Sequence, residues 1–169
     1  RTRFVETFLA GHFAGFRLLG SDIKGLDESL GDLQLNYDVR IPNYAKIAAG
    51  MLVVRPRVLG NRLEPLEPSA DKPRLYPVDF GLTSELRDEF TIELPDGYGV
   101  EGLPPASDLD LGFAAFSGLT ELRGRVLVFR GECRVVRPLL PAGRFGEAVK
   151  LFRAMDADQR QSVLLKKIG

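Results

Sequence analysis

The stretch RLYPVDFGLTSELRDEFTIELPDGYGVEGLPP, Arg74 to Pro105, decides the fold class. Within it Leu86, Asp88, Phe90, Ile92 and Leu94 fall on one side of a period-two pattern, and Arg87, Glu89, Thr91 and Glu93 on the other. Successive side chains of an extended chain point to opposite faces, so this alternation predicts a strand with one buried side. Asp88 is the single charged residue on the apolar side. Pro95 lacks a ladder donor and Asp96-Gly97 tolerates positive φ, so the strand ends in a turn before Tyr98 and Val100 resume an extended run.

Outward from this stretch, the same reading applies to LQLNYDVRI: Leu33, Leu35, Tyr37, Val39 and Ile41 alternate with Gln34, Asn36, Asp38 and Arg40. Ala45 to Arg55 reads as a further extended run closed by Pro56, and Gly60 to Pro73 as a long Pro- and charge-rich loop. Downstream, Asp108–Phe116, Leu122–Phe129 and Glu132–Arg137 read as short strands separated by Gly-containing turns. Phe145, Val149, Phe152 and Met155 recur at helical intervals, and Ser162 to Lys167 closes the chain as a strand. At the other end, Arg1 to Ala10 is expected to be a strand. Phe13, Phe16, Leu19, Ile23, Leu26 and Leu30 are expected on one side of a helix interrupted at Gly20, with Asp22 capping a second piece and Gly31 ending it.

These elements predict a mainly β fold, an antiparallel immunoglobulin-like sandwich with an N-terminal helical segment and a short C-terminal helix. Residues 1–31 are expected to form a segment packed on the sandwich, and residues 32–169 the sandwich itself. Its core is predicted to include Leu35, Tyr37, Val39, Phe90, Ile92, Val126 and Val128.

Composition narrows the function classes. The 169 residues are 44% apolar, enough for a sizeable core. Lys plus Arg and Asp plus Glu both number 23, so no net field draws the chain toward nucleic acid or anionic lipid. No apolar run approaches the roughly 18 residues of a membrane span. The chain starts at Arg1 rather than Met, and is expected to be part of a longer protein.

The order of GHFAGFR (residues 11–17), an alternating strand, RLYPVDFG, TIELPDGYGVEGLPP, a strand pair and the terminal FGEAVKLFRAMDADQRQSVLLKK resembles the C-terminal region of bacterial transglutaminase-like proteins. The resemblance covers most of the chain from Gly11 onward. In that family a transglutaminase-like domain lies between an N-terminal β-rich domain and a C-terminal β-sandwich of unknown function, and the parent proteins look secreted or periplasmic. It implies an accessory domain whose partner is the adjacent transglutaminase-like domain of the parent chain.

The family's chemistry needs a Cys nucleophile followed along the chain by a His base and an orienting Asp. Here the only Cys, Cys133, comes after the only His, His12. Cys133 sits in GECRVVR, a position suited to a buried strand, and one His with one Cys falls short of a zinc ligand set. No catalytic, cofactor-binding or metal-ligating residue is therefore expected. Asp108 and Asp110 read as a solvated strand edge rather than a calcium site. Asp88 and Glu89, as strand neighbours, point to opposite faces and cannot share acid–base work. Arg123, Arg125, Arg130, Arg134, Arg137 and Arg144 form a locally basic run diluted by Glu121 and Glu132, and read as a polar sheet face. Partner contact is expected at Phe4, Phe8, Phe13 and Phe16. The competing expectation is an envelope module that binds glycan or protein, with Tyr44, Tyr76 and Tyr98 as the aromatics to inspect.

Overall fold

The computed structural model describes residues 2–25, 34–60, 66 and 74–168. The chain divides into two compact units, residues 1–44 and 45–169.

In the first unit, α1 (Thr2–Ala10) is followed by β1 (Arg17–Lys24) and β2 (Gln34–Arg40), which pair antiparallel. Both expectations for this region change. Of the run Arg1 to Ala10, Thr2–Ala10 is helical rather than extended, because Val5 and Leu9, four residues apart, share one face of a helix and are both fully buried. The helix expected from Phe13 to Leu30 gives way to β1. Its apolar positions also satisfy a strand, since Leu18, Gly20 and Ile23 face the ladder with Val39, Asp38 and Leu35 across a bulge between Leu18 and Gly20. Asp22 lies within this strand and caps nothing. Leu26, Leu30 and Gly31 lie outside the described residues, as does most of the loop expected at Gly60 to Pro73. Leu35, Tyr37 and Val39 are half-buried in β2, whose partner is β1.

The second unit holds the remaining strands: β3 (Lys46–Ala48), β4 (Met51–Val54), β5 (Val78–Asp79), β6 (Ser84–Glu93), β7 (Tyr98–Gly102), β8 (Ser107–Asp110), β9 (Ala114–Arg123), β10 (Val126–Val135) and β11 (Leu139–Leu140). Then come a short 3-10 turn at Ala142–Arg144, α2 (Phe145–Arg160) and β12 (Val163–Lys167). Its strands form two four-stranded antiparallel sheets, in the orders β6-β10-β9-β8 and β3-β4-β12-β7, and a small β11-β5 ladder. The protein is thus mainly β with antiparallel sheets and a C-terminal helix, compatible with an immunoglobulin-like sandwich.

Local chemistry explains the strand ends. The run Ala45–Arg55 is a hairpin rather than one strand, because Ala49 and Gly50 both take positive φ, 50° and 77°, as a tight mirror-image turn requires. Pro95 to Gly97 turns the chain as expected, with Gly97 at φ 76°, and carries it from β6 in one sheet to β7 in the other. Asp108–Phe116 is likewise broken, at Gly112, whose amide is held by Asp110 Oδ1 at 2.8 Å.

The core of this unit lies between α2 and one face of the β6-β10-β9-β8 sheet. Phe113, Phe116, Leu140, Ala148 and Leu151 are almost wholly buried there, with Val78, Val135 and Met155 around them. The α2 stripe is the one expected, with Val149 and Met155 buried and Phe145 and Phe152 half-buried. Register corrects one part of the predicted core. Leu127 and Phe129 face inward with Ile92 and Phe90, their cross-strand partners, whereas Val126 and Val128 pair with Glu93 and Thr91 on the other face; Val128 is buried there as expected, and Val126 is only half-buried.

Candidate functional site: a buried arginine seam

The two expected breaks at Gly118 and Gly131 do not occur. β9 and β10 run straight through them, and the two glycines stand opposite each other in the ladder. One row across the sheet therefore reads Asp88 (β6), Gly131 (β10), Gly118 (β9) and Ser107 (β8), all on the inner face. Glycine inside a strand weakens it unless something must approach the backbone closely. Here two charged groups do.

Arg57, from the segment after β4, brings its guanidinium over Gly131, and Asp158, in the last turn of α2, brings its carboxylate over Gly118. A Cβ at Gly131 would lie 2.7 Å from Arg57 Nη2, and one at Gly118 would lie 2.1 Å from Asp158 Oδ1. Arg57 Nη2 donates to Asp88 Oδ2 at 2.8 Å, and Nη1 lies 3.6 Å from Asp158 Oδ2. Ser107 Oγ donates to Asp158 Oδ1 at 3.3 Å, and the Arg57 guanidinium stacks 5.1 Å from the Phe129 ring centre. Arg57 is 6% exposed and Asp158 2%.

The energetics follow from this burial. An isolated carboxylate taken out of water is expensive, and one at a helix C-terminus also meets the negative end of the helix dipole. Desolvation accordingly pushes the Asp158 carboxyl above the ordinary range, while Arg57 and the Ser107 hydroxyl pull it back and the Asp88 charge adds to the rise. One arginine thus offsets two carboxylates from two different elements, tying the segment after β4 and α2 to the sheet. Buried Arg57 Nε and Nη1, Asp158 Oδ2 and Thr120 Oγ1 lack a hydrogen-bond partner among the described residues. The ion pairs of Arg57 with Asp88 and with Asp158 hold the seam together.

The opposite face of the same sheet carries charges of the same kinds in the open. Glu89 accepts from Arg130 at 2.7 Å, so Asp88 and Glu89 do point to opposite faces as their adjacency requires. Glu121 receives Arg123 at 2.7 Å and Arg130 at 3.3 Å, and Arg87 reaches Glu132 at 3.5 Å. Arg125 pairs with Asp96 and Arg144 with Glu147, which raises the Arg144 pKa and lowers that of Glu147. Most of the basic run is therefore spent on neighbouring acids. Between two such rows lies an open trough of about 490 Å³ walled by Arg87, Glu89, Arg130, Glu132, Ser117 and Leu119.

Cys133 faces inward on β10 opposite Leu86 and Phe116. It is half-buried rather than enclosed, with Sγ 4.0 Å from Met155 Sδ. Desolvation raises its thiol pKa and nearby Arg57 partly lowers it. Asp110 is engaged by the Gly112 amide, and no three His, Cys, Asp or Glu side chains gather into a metal site among the described residues. Of the four phenylalanines expected at a partner contact, Phe4 and Phe8 are exposed, 57% and 37%, while Phe13 and Phe16 are half-buried. Phe8 lies 4.9 Å from the His12 ring, tilted against it, and stands edge-on to Tyr37 at 6.3 Å, so His12 belongs to an aromatic cluster of the first unit. Tyr76 is exposed and Tyr98 and Tyr44 half-buried.

Sequence reasoning missed Arg57, Asp158 and the two glycines. The signal that pointed to them was Asp88, the one charge on the apolar side of its strand, together with glycines at facing positions of two adjacent strands.

Antiparallel sheets packed with a helix over a buried ionic seam define a mainly β domain. A family model described as a domain of unknown function, DUF3858, matches residues 50–165, and the chain belongs to that family. No curated protein and no solved structure matches it.

Proposed function

We propose that this chain is a non-catalytic, C-terminal accessory domain of a transglutaminase-like protein, which packs on or orients the catalytic domain of its parent chain. The reading rests on the sequence resemblance from Gly11 onward and on membership of a family of unknown function across residues 50–165. The observation that carries it is the state of Cys133. A transglutaminase-type nucleophile needs a thiol made more acidic by a neighbouring base, and this thiol is made less acidic by burial and leans on a methionine sulfur. Arg57 pairs with both half-buried Asp88 and buried Asp158.

A domain that does no chemistry acts through contact. Phe4 and Phe8, with Phe13 and Phe16, are the proposed surface for the neighbouring domain. The alternative is an envelope module for glycan or protein, favoured by the exposure of Tyr76 beside Leu75.

The test has two arms. The chain alone, assayed on casein and on small amide and ester substrates, should show no turnover; turnover lost in Cys133→Ala would overturn the reading. In the parent protein, Phe4→Asp with Phe8→Asp should loosen the molecule and split its unfolding into separate transitions. Unchanged hydrodynamic size and cooperativity would remove these residues from the proposed contact.

A further inference from the structure

Strand β6 is the outermost strand of the β6-β10-β9-β8 sheet. It pairs with β10 along all of Ser84 to Glu93 and, among the described residues, with nothing on its other side. A free edge of this length is a template for another strand, and proteins protect such edges with charge, proline or a covering element. The edge here is divided. From Asp88 onward β6 alternates half-buried and exposed positions, but Ser84 to Arg87 are exposed on both faces. On the inner face Leu86 is 43% exposed, and Leu82, just before the strand, is 79% exposed.

The charges on this end do not protect it, because they complement themselves. Glu85 and Arg87 lie on the outer face, two residues apart and already ion-paired with each other. An antiparallel strand related by a two-fold axis brings together residues whose numbers have a constant sum. Centring that axis on Glu85, Arg87, Asp88 or Glu89 would set two identical charges face to face. Centring it on Leu86 sets Glu85 opposite Arg87 twice, Leu86 opposite Leu86, Ser84 opposite Asp88, and Leu82 opposite Phe90. Opposite charges and apolar pairs at directly facing positions are the units of sheet stability, and the same patch used by both partners closes the assembly.

We infer that the exposed edge of β6 is a self-association site, at which a second copy of this chain adds antiparallel about Leu86 to make one continuous sheet. The covered surface is then the exposed end of β6, and Asp88 gains the Ser84 hydroxyl of the second copy as a further donor beside Arg57.

The charge pattern makes the test decisive. Sedimentation velocity on the full 169-residue chain over a concentration series should show a monomer–dimer equilibrium. Glu85→Arg or Arg87→Glu alone places like charges opposite each other twice, and should weaken the dimer by about tenfold or more while the circular dichroism spectrum stays unchanged. Mixing these two variants should restore association as a heterodimer, and the double variant Glu85→Arg with Arg87→Glu should dimerise by itself. Leu86→Lys should be monomeric. A chain that stays monomeric at its highest soluble concentration would overturn the inference, and so would a dimer indifferent to both reversals or single variants that fail to rescue each other on mixing.

Discussion

Asp88 and Glu89 are neighbours on one strand, each bound to one arginine at nearly the same distance, 2.8 Å to Arg57 and 2.7 Å to Arg130. Their physics differs because they face opposite sides of the sheet. The Arg130–Glu89 pair is open to water, where the Coulomb energy is screened and two long side chains lose freedom to meet. In the Arg57–Asp88–Asp158 seam Arg57 and Asp158 are almost out of water and Asp88 is half-buried, so removing one partner leaves the others uncompensated. Ion-pair distance therefore says little about what a pair does for stability. Burial, and what is left behind when one partner goes, says most of it.

Removing Arg57 tests this contrast hardest. Arg57→Ala strands two carboxylates next to an apolar core and should cost about 3–5 kcal/mol in urea unfolding. A loss comparable to that of a surface substitution would mean that the seam is solvated in solution. Replacement by Met, which restores volume without charge, should be nearly as damaging, since Asp88 and Asp158 remain.

The glycine floor comes next. Gly118→Ala puts a methyl group where the Asp158 carboxylate sits, so α2 must shift, at a cost of about 1–3 kcal/mol. Gly102→Ala in β7 is the control, because a Cβ there meets nothing within 4 Å. Equal stability of the two variants would break the argument that close approach, rather than strand propensity, selected glycine at position 118.

A smaller effect is expected in the pH dependence. Burial raises the folded-state pKa of Asp158 above its unfolded value, so between those two values the folded protein binds the extra proton. This group's contribution to stability falls as pH rises through that window and is flat above it. Asp158→Asn removes the titration, so the stability difference, wild type minus variant, should decline from acid toward neutral pH. A difference that rises with pH over the same window would show that Arg57 outweighs desolvation. Smallest of all, Arg130→Ala on the outer face should change stability by about 0–1 kcal/mol, and less at high salt. A cost near that of Arg57→Ala would erase the distinction between the two faces.

Much of the second unit was legible without coordinates. Period-two alternation located β6, Pro95 and Asp96-Gly97 marked the turn after it, and helical spacing located α2, because local periodicity reflects which side of an element is buried. In the first unit β2 was legible in this way, but α1 and β1 were not. Phe4, Val5, Phe8 and Leu9 suit a strand or a helix, and the apolar residues around Leu18 and Ile23 suit either period, so a short segment's type was decided by the pairing of β1 with β2. At Gly118 and Gly131 the local rule pointed to turns, and a long-range approach by Arg57 and Asp158 reversed it.

By itself, then, the sequence determined the mainly β class, the closing helix and strand, the balanced charge, and one anomaly, an aspartate on the wrong side of a strand. Only the tertiary structure decided what that aspartate was for. Its partners come from positions 57 and 158, far away along the chain, and the space they occupy exists because two glycines on different strands fall into register. Local patterning carries information about burial within a few residues. Pairing a buried charge depends on which distant segments meet, and that is settled when sheet and helix pack together.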